Sequence, residues 1–516
     1  VDSVMDGLSL KQKVGQLFIY TLAPKRDKAN RNLLHKVIKE YHVGGLLFSG
    51  GQLGNQAILT NEAQQLSKVP LLMTFDGEWG LAMRLKQLPA FPKNMVLGCI
   101  RDDSLLYAYG REVARQLKEL GVQVNFAPVA DVNINPRNPV INVRSFGASP
   151  ELVASKVTAY ARGLEDGGIL SVCKHFPGHG DTETDSHKAL PRLSFDRDRL
   201  DSIELYPFRK AIAAGLGGMM VGHLEVPVFE STEGLPSSLS RNVVYELLTR
   251  ELQFQGLIFT DALTMKGAQG NSSVCLRALK AGNDLLLVPR RLKEEMEAVM
   301  AAVKSGELPE ELIDEKCRKV LTYKYALGLR RKPHIQLSGL EQRITTPATK
   351  EFIARLQKAA LTVVGNREGV LPLDVDAEAP ALLYVGKETS IAPLLQQLPQ
   401  GVKPHLFALS ATPTAEAIDQ LADTLSRYRR LLVVVNEPSL PAYRTLFSRR
   451  LPEVPTVWLS FVQDKSLQSL QGAVAQGAAT VLARADNEEL QAHVARVLYG
   501  EATADGRLSA PLDTLF

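Results

Sequence analysis

Short runs of apolar residues recur along the first two thirds of the chain and alternate with amphipathic stretches. Most of these runs are apolar throughout, which is typical of parallel strands that are buried on both faces of a sheet. The predicted strands are QLFIY, VGGLLFSG, PLLMTFD, VQVNFAPVAD, ILSVCKHF, GMMVGH, GLIFTDA and DLLLVP. Helical periodicity lies between them, as in SPELVASKVTAYARGLEDGG, where Ser149 and Pro150 provide the cap and the first turn. Eight strands separated by helices over roughly 290 residues predict one (β/α)8 barrel of the TIM type.

The remainder of the chain predicts a second, smaller α/β domain. A polar segment, KPHIQLSGLEQRITTPATK, follows a helical stretch and predicts a linker. After it come the predicted helix TKEFIARLQKAALTVVGN and the predicted strands ALLYVG, RLLVVVN, TVWLSF and ATVLAR. Few titratable groups follow these strands, so we expect this domain to support the barrel or to form a rim. The predicted bounds are 1–335 for the barrel, 336–350 for the linker and 351–516 for the second domain.

Polar side chains are concentrated where the predicted barrel strands end. They are Asp76, Asp131, Lys174 with His175, His223 and Asp261. A barrel aims the carboxyl ends of its strands at one mouth, where the active sites of this fold lie. A core residue is expected to be apolar and to lie in mid-strand, so a purely structural role would require several coincidences. The pattern therefore favours a catalytic barrel with its active site at this mouth.

The composition narrows the possible partners. Of the 516 residues, 45% are hydrophobic and 22% are charged, which is an ordinary globular mixture. The net charge of +4 comes from 60 basic and 56 acidic groups without a long basic run, so nucleic acid is not an expected partner. No apolar stretch reaches the ~18 residues that cross a bilayer.

The first residues bear on the expected compartment. The chain begins with VDSV instead of Met, so we expect that an N-terminal segment has been removed. A removed segment favours a periplasmic or exported protein, with the cytoplasm as the alternative. The same observation is compatible with an additional domain in a longer natural chain.

The segment KHFPGHGDTETDSHKALP, residues 174–191, gathers titratable groups in a stretch that its Pro and Gly residues keep from forming a helix or strand. The unperturbed pKa of histidine, about 6.5, lets His187 give and take protons near neutral pH. Asp185 precedes His187 by two positions, and at that spacing its carboxylate can orient the imidazole. We therefore expect His187 and Asp185 to act as a proton-transfer pair. The polar DTETD stretch is expected to move and to deliver His187 when substrate binds.

Asp261 and the histidine-rich loop leave other chemistry open. A carboxylate at the end of GLIF, where Asp261 lies, could be a nucleophile, a metal ligand or the ion-pair partner of a lysine. The loop residues with ligand chemistry are His175, His179, Asp181, Asp185 and His187. The HxxxH pair spans a Pro and a Gly, however, so it cannot lie on one helix face as in the metalloprotease motif. The four cysteines lack metal-ligand spacing. We therefore expect neither a metal nor another cofactor.

Several motifs together resemble glycoside hydrolase family 3. They are KHFPGHGDTETDSHKALP, NPRNPVINVRSFG, FAPVADVN, PSSLS and GLIFTDALTMKGA. The KHFPGHG…DSH…LP part is similar to the β-N-acetylglucosaminidase branch of that family. The resemblance is dense over residues ~8–330 and looser afterwards, where AALTVVGNREGVLPL is similar to the start of the family's α/β sandwich domain. It implies a retaining, two-step mechanism.

The resemblance also implies roles for individual residues. Asp261 matches the nucleophile that forms a covalent glycosyl-enzyme, and His187 with Asp185 matches the acid/base dyad. Asp76 in FDGEWG matches a carboxylate that binds sugar hydroxyls. The other substrate-binding residues that it implies are Arg84, Arg144, Lys174, His175 and His223. The family commonly has DxEGGxVxR, whereas DGEWGLAMR places Trp79 at the first Gly of the pair, where it could stack on a sugar, narrow the mouth or simply pack.

The function that the resemblance implies is a retaining exo-β-N-acetylglucosaminidase, a β-N-acetylhexosaminidase that removes terminal β-linked N-acetylglucosamine (GlcNAc). Peptidoglycan fragments are the expected source of this GlcNAc-containing glycan. A β-glucosidase and a GlcNAc phosphorylase are alternatives within the family, since a histidine acid/base repels inorganic phosphate less than a carboxylate would. A non-catalytic sugar-binding protein is a further alternative, which the presence of Asp261, Asp185 and His187 disfavours.

Overall fold

The protein forms two compact units in the computed structural model. The structure describes residues 1–185, 188–264, 273–287, 291–450 and 453–511. One unit comprises Val1–Met95 and Asp102–Lys350, and the other comprises Val96–Arg101 and Glu351–Phe516. Residues 336–350, for which the sequence predicts a linker, belong to the first unit and contain the helix Leu340–Ile344.

The first unit is a (β/α)8 barrel. Its strands are β1 (Phe18–Leu22), β2 (Gly45–Phe48), β3 (Leu72–Phe75), β4 (Val124–Asn125), β5 (Leu170–Phe176), β6 (Gly218–Val221), β7 (Leu257–Thr260) and β8 (Leu286–Leu287). They pair in parallel in the order β7-β6-β5-β4-β3-β2-β1-β8. A parallel bridge between Phe259 and Leu285 joins the two ends of this sheet. Each strand overlaps an apolar run, so the predicted TIM-type barrel is confirmed.

Helices connect the strands, as the amphipathic stretches predict. The α-helices within the barrel unit are Asp2–Asp6, Leu10–Gly15, Lys28–Lys39, Leu53–Leu66, Asp103–Glu119, Pro150–Asp166, Arg197–Ser202, Tyr206–Ala213, Val274–Ala281, Leu292–Lys304, Glu310–Ala326 and Leu340–Ile344, and Asn94–Leu97 begins in it. Asn242–Glu251 is a π-helix, and 3-10 helices lie at Leu81–Met83, Asn142–Arg144 and Ser237–Leu239. The Ser149 side chain accepts the N–H of Leu152, with Pro150 in the first turn, so this predicted start is confirmed. Among the helices described, none is both long and apolar enough to cross a bilayer.

Burial on both faces explains the continuously apolar strands of the barrel. Every residue of β3, β5, β6 and β7 is buried. Phe126 and Phe259 meet edge to face with ring centroids 5.5 Å apart inside the same hydrophobic cluster. Each fully buried Val, Leu or Phe side chain stabilises the fold by about 1.5–3 kcal/mol. The barrel is therefore a stable frame that holds the polar groups at its mouth.

The second unit is a six-stranded α/β domain. Its strands are β9 (Thr362–Val364), β10 (Ala381–Val385), β11 (His405–Leu409), β12 (Leu431–Val435), β13 (Thr456–Ser460) and β14 (Ala479–Leu482), in the order β11-β10-β12-β13-β14-β9. Only β9 pairs in the antiparallel direction among the strands described. Its α-helices are Ala392–Gln396, Ala415–Leu425, Leu440–Arg449, Gln471–Gln476 and Glu488–Leu498, and most of the helix Pro347–Ala360 also belongs to it. Its 3-10 helices are Arg367–Gly369, Glu388–Ile391 and Asp464–Leu470.

Alternate residues of the central strands belong to different hydrophobic clusters. Leu382 and Val434 lie in one cluster, and Leu383 and Val433 lie in the other. Both faces of the sheet are therefore covered, and the α/β sandwich that the resemblance implies is confirmed. The helix predicted over TKEFIARLQKAALTVVGN is too long, because it ends at Ala360 and TVV forms β9.

Candidate active site

A cavity of about 250 Å³ opens at the carboxyl ends of the barrel strands. Its titratable lining residues are Asp76, Arg84, Arg144, Lys174, His175, His179 and Asp261. Asp76 directly follows β3, and Asp261 directly follows β7. The structure thus brings together six of the residues to which the resemblance assigns a role, and they meet at the mouth that the strand ends predict.

An irregularity in β5 places two neighbouring side chains in the cavity. Successive residues of a regular strand point to opposite faces, yet Lys174 and His175 both line the cavity. The register of β5 against β6 shifts between Cys173 and Phe176. Such shifts re-aim side chains near active sites, and this one gives the site both a cation and an imidazole.

A cluster of alternating charges forms one wall of the site. Lys174 Nζ lies 2.8 Å from Asp76 Oδ1 and 2.8 Å from Glu78 Oε1. Arg84 donates to the other carboxylate oxygen of Asp76. Arg144 binds Glu78 through two bonds, Nη2 to Oε1 at 2.6 Å and Nε to Oε2 at 2.9 Å. Each carboxylate therefore holds two cations in fixed positions, which orients their remaining N–H groups before a substrate arrives.

The cluster is ionised at neutral pH. Burial raises the pKa of Asp76, but the positive charges of Lys174 and Arg84 reverse this and hold it well below its usual range. Burial also raises the pKa of Glu78, but the positive charges of Lys174 and Arg144 outweigh burial and keep this pKa below its usual value. The pKa of Lys174 is raised in turn, because the two carboxylates outweigh the effect of burial. Substrate hydroxyls would therefore meet fully charged donors and acceptors.

Asp131 fixes the orientation of the His175 ring. Its Oδ2 lies 2.7 Å from His175 Nδ1, and its Oδ1 accepts the backbone N–H of His179 at 2.7 Å. Arg144 Nη2 lies 3.4 Å from His175 Nε2, and a guanidinium can only donate, so Nδ1 carries the hydrogen towards Asp131. Although burial raises the pKa of Asp131, the two histidines lower it below its usual value.

Asp261 is held as an ionised carboxylate in the cavity. Its backbone N–H donates to the Val221 carbonyl at 2.9 Å, and its Oδ1 accepts the N–H of Ala262 at 2.7 Å. Burial raises the pKa of Asp261, but the neighbouring imidazoles of His175 and His223 and the hydrogen bond from Ala262 lower it below the usual value. A carboxylate with these properties at an open cavity can act as a nucleophile.

His223 supports the backbone beside Asp261. It is buried and is not one of the described residues that line the cavity. Its Nε2 lies 3.0 Å from the Ala262 carbonyl, which can only accept, and its Nδ1 lies 2.6 Å from Ser238 Oγ. His223 thus contacts the residue next to Asp261, although the resemblance implies a place among the substrate-binding groups.

The loop after β5 is anchored in its first half. His179 Nδ1 lies 2.7 Å from Thr182 Oγ1, and burial lowers the pKa of His179 to about 4, so this ring is neutral at pH 7. Asp181 accepts a hydrogen bond from Arg199 at 2.7 Å. Asp185 is half-buried, and its carbonyl accepts the N–H of Lys188 at 2.8 Å. His187 lies outside the described residues.

Three of the five candidate metal ligands in the histidine-rich loop contact other protein groups. His175 Nδ1 faces Asp131, His179 Nδ1 faces Thr182, and Asp181 pairs with Arg199. Within the part of the chain that the structure describes, no group of three His, Cys, Asp or Glu side chains could hold a metal ion. The four cysteines are buried, and none of them forms a disulfide.

Sequence reasoning missed Glu78 as a site residue and left Trp79 open. Glu78 is two residues after Asp76 in FDGEWG, and that spacing was the available signal for a second carboxylate. Trp79 is half-buried, is not among the described residues that line the cavity, and has Lys93 Nζ 5.7 Å from its ring centroid. Of the three alternatives for Trp79, this contact favours packing.

Fold and site together define a class of protein. A (β/α)8 barrel whose mouth holds an ionised carboxylate beside a fixed set of charged donors and acceptors is a barrel enzyme suited to a polyhydroxylated substrate, such as a sugar. The family follows from comparison with known proteins. Residues 9–323 match the family described as "Glycosyl hydrolase family 3 N terminal domain", and the chain belongs to this glycoside hydrolase family.

Relatives and solved structures agree with this assignment. β-Hexosaminidase A of Pseudoalteromonas piscicida is 31% identical, over 73% of this chain and 68% of that protein. β-Hexosaminidase LpqI of Mycobacterium tuberculosis is 34% identical, over 61% of this chain and 83% of that protein. A glycoside hydrolase family 3 β-N-acetylglucosaminidase from Paenibacillus sp. str. FPU-7 superposes with a TM-score of 0.76 at 32% identity, covering 98% of this chain and 99% of that one. The predicted family and the assignment as an enzyme are confirmed.

Proposed function

We propose that this glycoside hydrolase is a retaining exo-β-N-acetylglucosaminidase that releases terminal β-linked GlcNAc, with peptidoglycan fragments as the source. The names of the three relatives described above support an N-acetylhexosamine substrate. The observation that carries the mechanism is Asp261, an ionised carboxylate that lines the cavity beside the charged cluster.

The first chemical step forms a covalent intermediate. Asp261 attacks the anomeric carbon while the bond to the leaving oxygen breaks, and His187, paired with Asp185, donates a proton to that oxygen. The ionised Asp261 stabilises the oxocarbenium-like transition state, in which positive charge develops on the sugar ring. This step gives a glycosyl ester on Asp261 and a free aglycone.

The second step reverses the roles of the groups. Neutral His187 takes a proton from water, the water oxygen attacks the anomeric carbon, and the ester bond to Asp261 breaks. Two displacements on opposite faces give a product with the β configuration of the substrate. Asp185 orients the imidazole in both steps and stabilises its protonated form.

The cavity fits a single sugar residue. Its volume of about 250 Å³ is below the ~300 Å³ at which pockets begin to hold drug-sized ligands. Asp76, Arg84 and Lys174 would bind ring hydroxyls in the cavity that the Asp261 carboxylate also lines. A cavity of this size at the end of a glycan favours exo action.

The selectivity of the enzyme tests the substrate assignment. We expect p-nitrophenyl β-N-acetylglucosaminide to be hydrolysed and the corresponding β-glucoside to react at least tenfold more slowly. Cleavage of the glucoside with no cleavage of the N-acetylglucosaminide would instead assign a β-glucosidase. Product analysis in phosphate buffer separates hydrolysis from phosphorolysis, since only the latter gives the sugar 1-phosphate.

Leaving-group dependence tests the assigned roles. Asp261→Ala should abolish turnover with every aryl glycoside. His187→Ala should reduce glycosylation mildly for activated aryl leaving groups and severely for poor ones, because only the poor ones need a proton. His35→Ala removes an exposed imidazole that pairs with Glu62 and serves as the control. Equal loss with both kinds of leaving group would remove His187 from the proton-donor role.

A further inference from the structure

The backbone around Asp261 is held from the end of β6 at two points. The Val221 carbonyl accepts the N–H of Asp261 at 2.9 Å. His223 Nε2 lies 3.0 Å from the carbonyl oxygen of Ala262, and the N–H of Ala262 donates to Asp261 Oδ1 at 2.7 Å. A movement of Ala262 would therefore turn or shift the Asp261 carboxylate.

The contact with Ala262 determines which nitrogen of His223 carries the hydrogen. A carbonyl can only accept, so Nε2 carries the hydrogen in this bond. In the neutral imidazole, Nδ1 is then an acceptor, and Ser238 Oγ lies 2.6 Å from it. A hydroxyl that donates to Nδ1 favours the tautomer that holds Ala262.

Ser238 is itself fixed in the interior. Its backbone N–H donates to the Gly222 carbonyl at 3.2 Å, and its own carbonyl accepts a hydrogen bond from Asn283 Nδ2 at 2.8 Å. Ser238, Asn283 and His223 are all fully buried. The hydroxyl of Ser238 therefore has a fixed position, and bulk water does not compete for its bond to His223.

Ser238 and His223 lie behind the residues that a substrate would meet. Neither of the two is among the described residues that line the cavity, whereas Ala262 and Asp261 are. The contacts that lead from Ser238 to the cavity run through His223 to Ala262 and Asp261. An effect of Ser238 on the reaction is therefore expected to act through the nucleophile.

We propose that Ser238 and His223 are positioning residues that keep the Asp261 carboxylate aimed at the anomeric carbon. Ser238 holds the neutral ring of His223, and the ring holds Ala262. The role of this Ser238–His223 pair rests on the proposed function, because Asp261 must be the attacking group. It differs from the substrate-binding role that the resemblance implies for His223, since neither residue of the pair binds the sugar.

Loss of the Ser238 hydroxyl should impair the nucleophile and leave sugar binding intact. Ser238→Ala removes one buried oxygen atom and keeps the His223 ring. We expect kcat/KM, which reports glycosylation, to fall by about tenfold with activated and poor aryl leaving groups alike, because both need a well-aligned nucleophile. His187→Ala should instead have a mild effect with activated leaving groups. The dissociation constant of the product GlcNAc should stay within about twofold of the wild-type value.

Ser237→Ala is the matched control for this variant. Ser237 is also buried and lies in the same 3-10 helix, Ser237–Leu239. Its Oγ donates to the Leu224 carbonyl at 2.8 Å, and this carbonyl also accepts the Ser237 N–H at 2.7 Å. Because the carbonyl keeps a partner in the variant, kcat/KM should remain within about twofold of the wild-type value for every leaving group.

A double variant shows whether Ser238 acts through the imidazole. The His223→Gln enzyme has no imidazole at this position for Ser238 to orient. Adding Ser238→Ala to it should therefore lower kcat/KM by less than about twofold further. A further loss as large as that in the wild-type background would show that Ser238 acts independently of His223 and would overturn the pair.

Three results with Ser238→Ala alone would also overturn the pair. They are a kcat/KM equal to that of Ser237→Ala, a loss confined to poor leaving groups, and a weakening of GlcNAc binding that accounts for the loss of kcat/KM. The proposed function would stand in each case, because the wild type still hydrolyses the aryl N-acetylglucosaminides. Absence of this activity in the wild type would overturn the proposed function together with the pair.

Discussion

At the scale of single residues, Glu78 is the group on which the charged wall of the site depends. Its carboxylate is fully buried and binds both Arg144 and Lys174. Replacing it by Gln removes the negative charge and leaves two cations under-compensated in the interior. Removing one partner from a buried ionic cluster typically lowers the free energy of unfolding by about 3–5 kcal/mol.

We predict that Glu78→Gln lowers the free energy of unfolding by about 3 kcal/mol. Glu246→Gln is the control, because Glu246 pairs with Arg241 and Arg250 on the surface, and its loss should change the free energy by less than about 0.5 kcal/mol. Urea denaturation of both variants measures the difference. Similar values for the two variants would contradict the structural role assigned to Glu78.

Lys324 is a buried lysine that has only neutral partners among the described contacts. Its Nζ donates to Gln16 Oε1 at 2.7 Å and to the Pro70 carbonyl at 2.8 Å. Burial lowers the pKa of Lys324 from 10.5 to about 7. The folded chain therefore releases this proton at a lower pH than the unfolded chain does. Between about pH 7 and 10.5 the Lys324 side chain binds more protons in the unfolded state than in the folded state. The contribution of Lys324 to the free energy of unfolding therefore rises with pH in this range.

We predict that Lys324→Met removes this pH dependence. The difference in unfolding free energy, wild type minus variant, should grow by about 1.4 kcal/mol per pH unit above pH 7. The exposed Lys304 provides the control Lys304→Met, which should show no such trend. Urea denaturation at pH 6.5, 7.5 and 8.5 is the measurement, and a constant difference across this range would refute the assignment.

The sequence predicts those site residues whose position follows from the fold. Asp76, Lys174 and Asp261 lie at strand ends, and a parallel barrel necessarily brings strand ends to one mouth. Glu78 could not be assigned in this way, because its role depends on side-chain contacts that the strand pattern does not specify. The same holds for His223, which lies at a strand end but contacts the backbone of Ala262.

At the scale of elements, the helix Arg197–Ser202 anchors the loop that follows β5. Arg199 donates to Asp181 at 2.7 Å and to Glu204 at 3.0 Å. Its guanidinium carbon also lies 4.1 Å from the ring centroid of Phe195. The sequence predicts that the DTETD stretch moves. These contacts hold Asp181, and His179 holds Thr182, so the predicted movement concerns the residues after Thr182.

We predict that Arg199→Gln slows turnover by about tenfold for substrates with poor leaving groups and by less for activated ones. The reason is that the loop carrying the proposed proton donor loses its anchor, and misplacement of such a donor weakens proton transfer. Arg197→Gln changes an arginine of the same helix that pairs with Asp201 and Glu251 instead, and should show no leaving-group effect. An equal loss with all substrates would indicate a purely structural role for Arg199.

At the scale of the whole molecule, apolar patterning predicts the elements whose core contacts are strongest. All eight barrel strands and four strands of the second unit overlap predicted runs. β11 was missed because most of its side chains are not buried. β9 was missed because its two valines extend the apolar pattern of the preceding helix. The membership of Val96–Arg101 in the second unit depends on tertiary contacts, which periodicity does not encode.

The most direct test of the mechanism is to identify the side chain that carries the sugar during turnover. A 2-acetamido-2-deoxy-5-fluoro-β-glucosyl fluoride should slow the second step and allow the glycosyl-enzyme to accumulate, so that proteolysis and mass spectrometry can locate the adduct. The mechanism predicts one sugar on the peptide that contains Asp261 and none in Asp261→Ala. A sugar attached to any other side chain would contradict it.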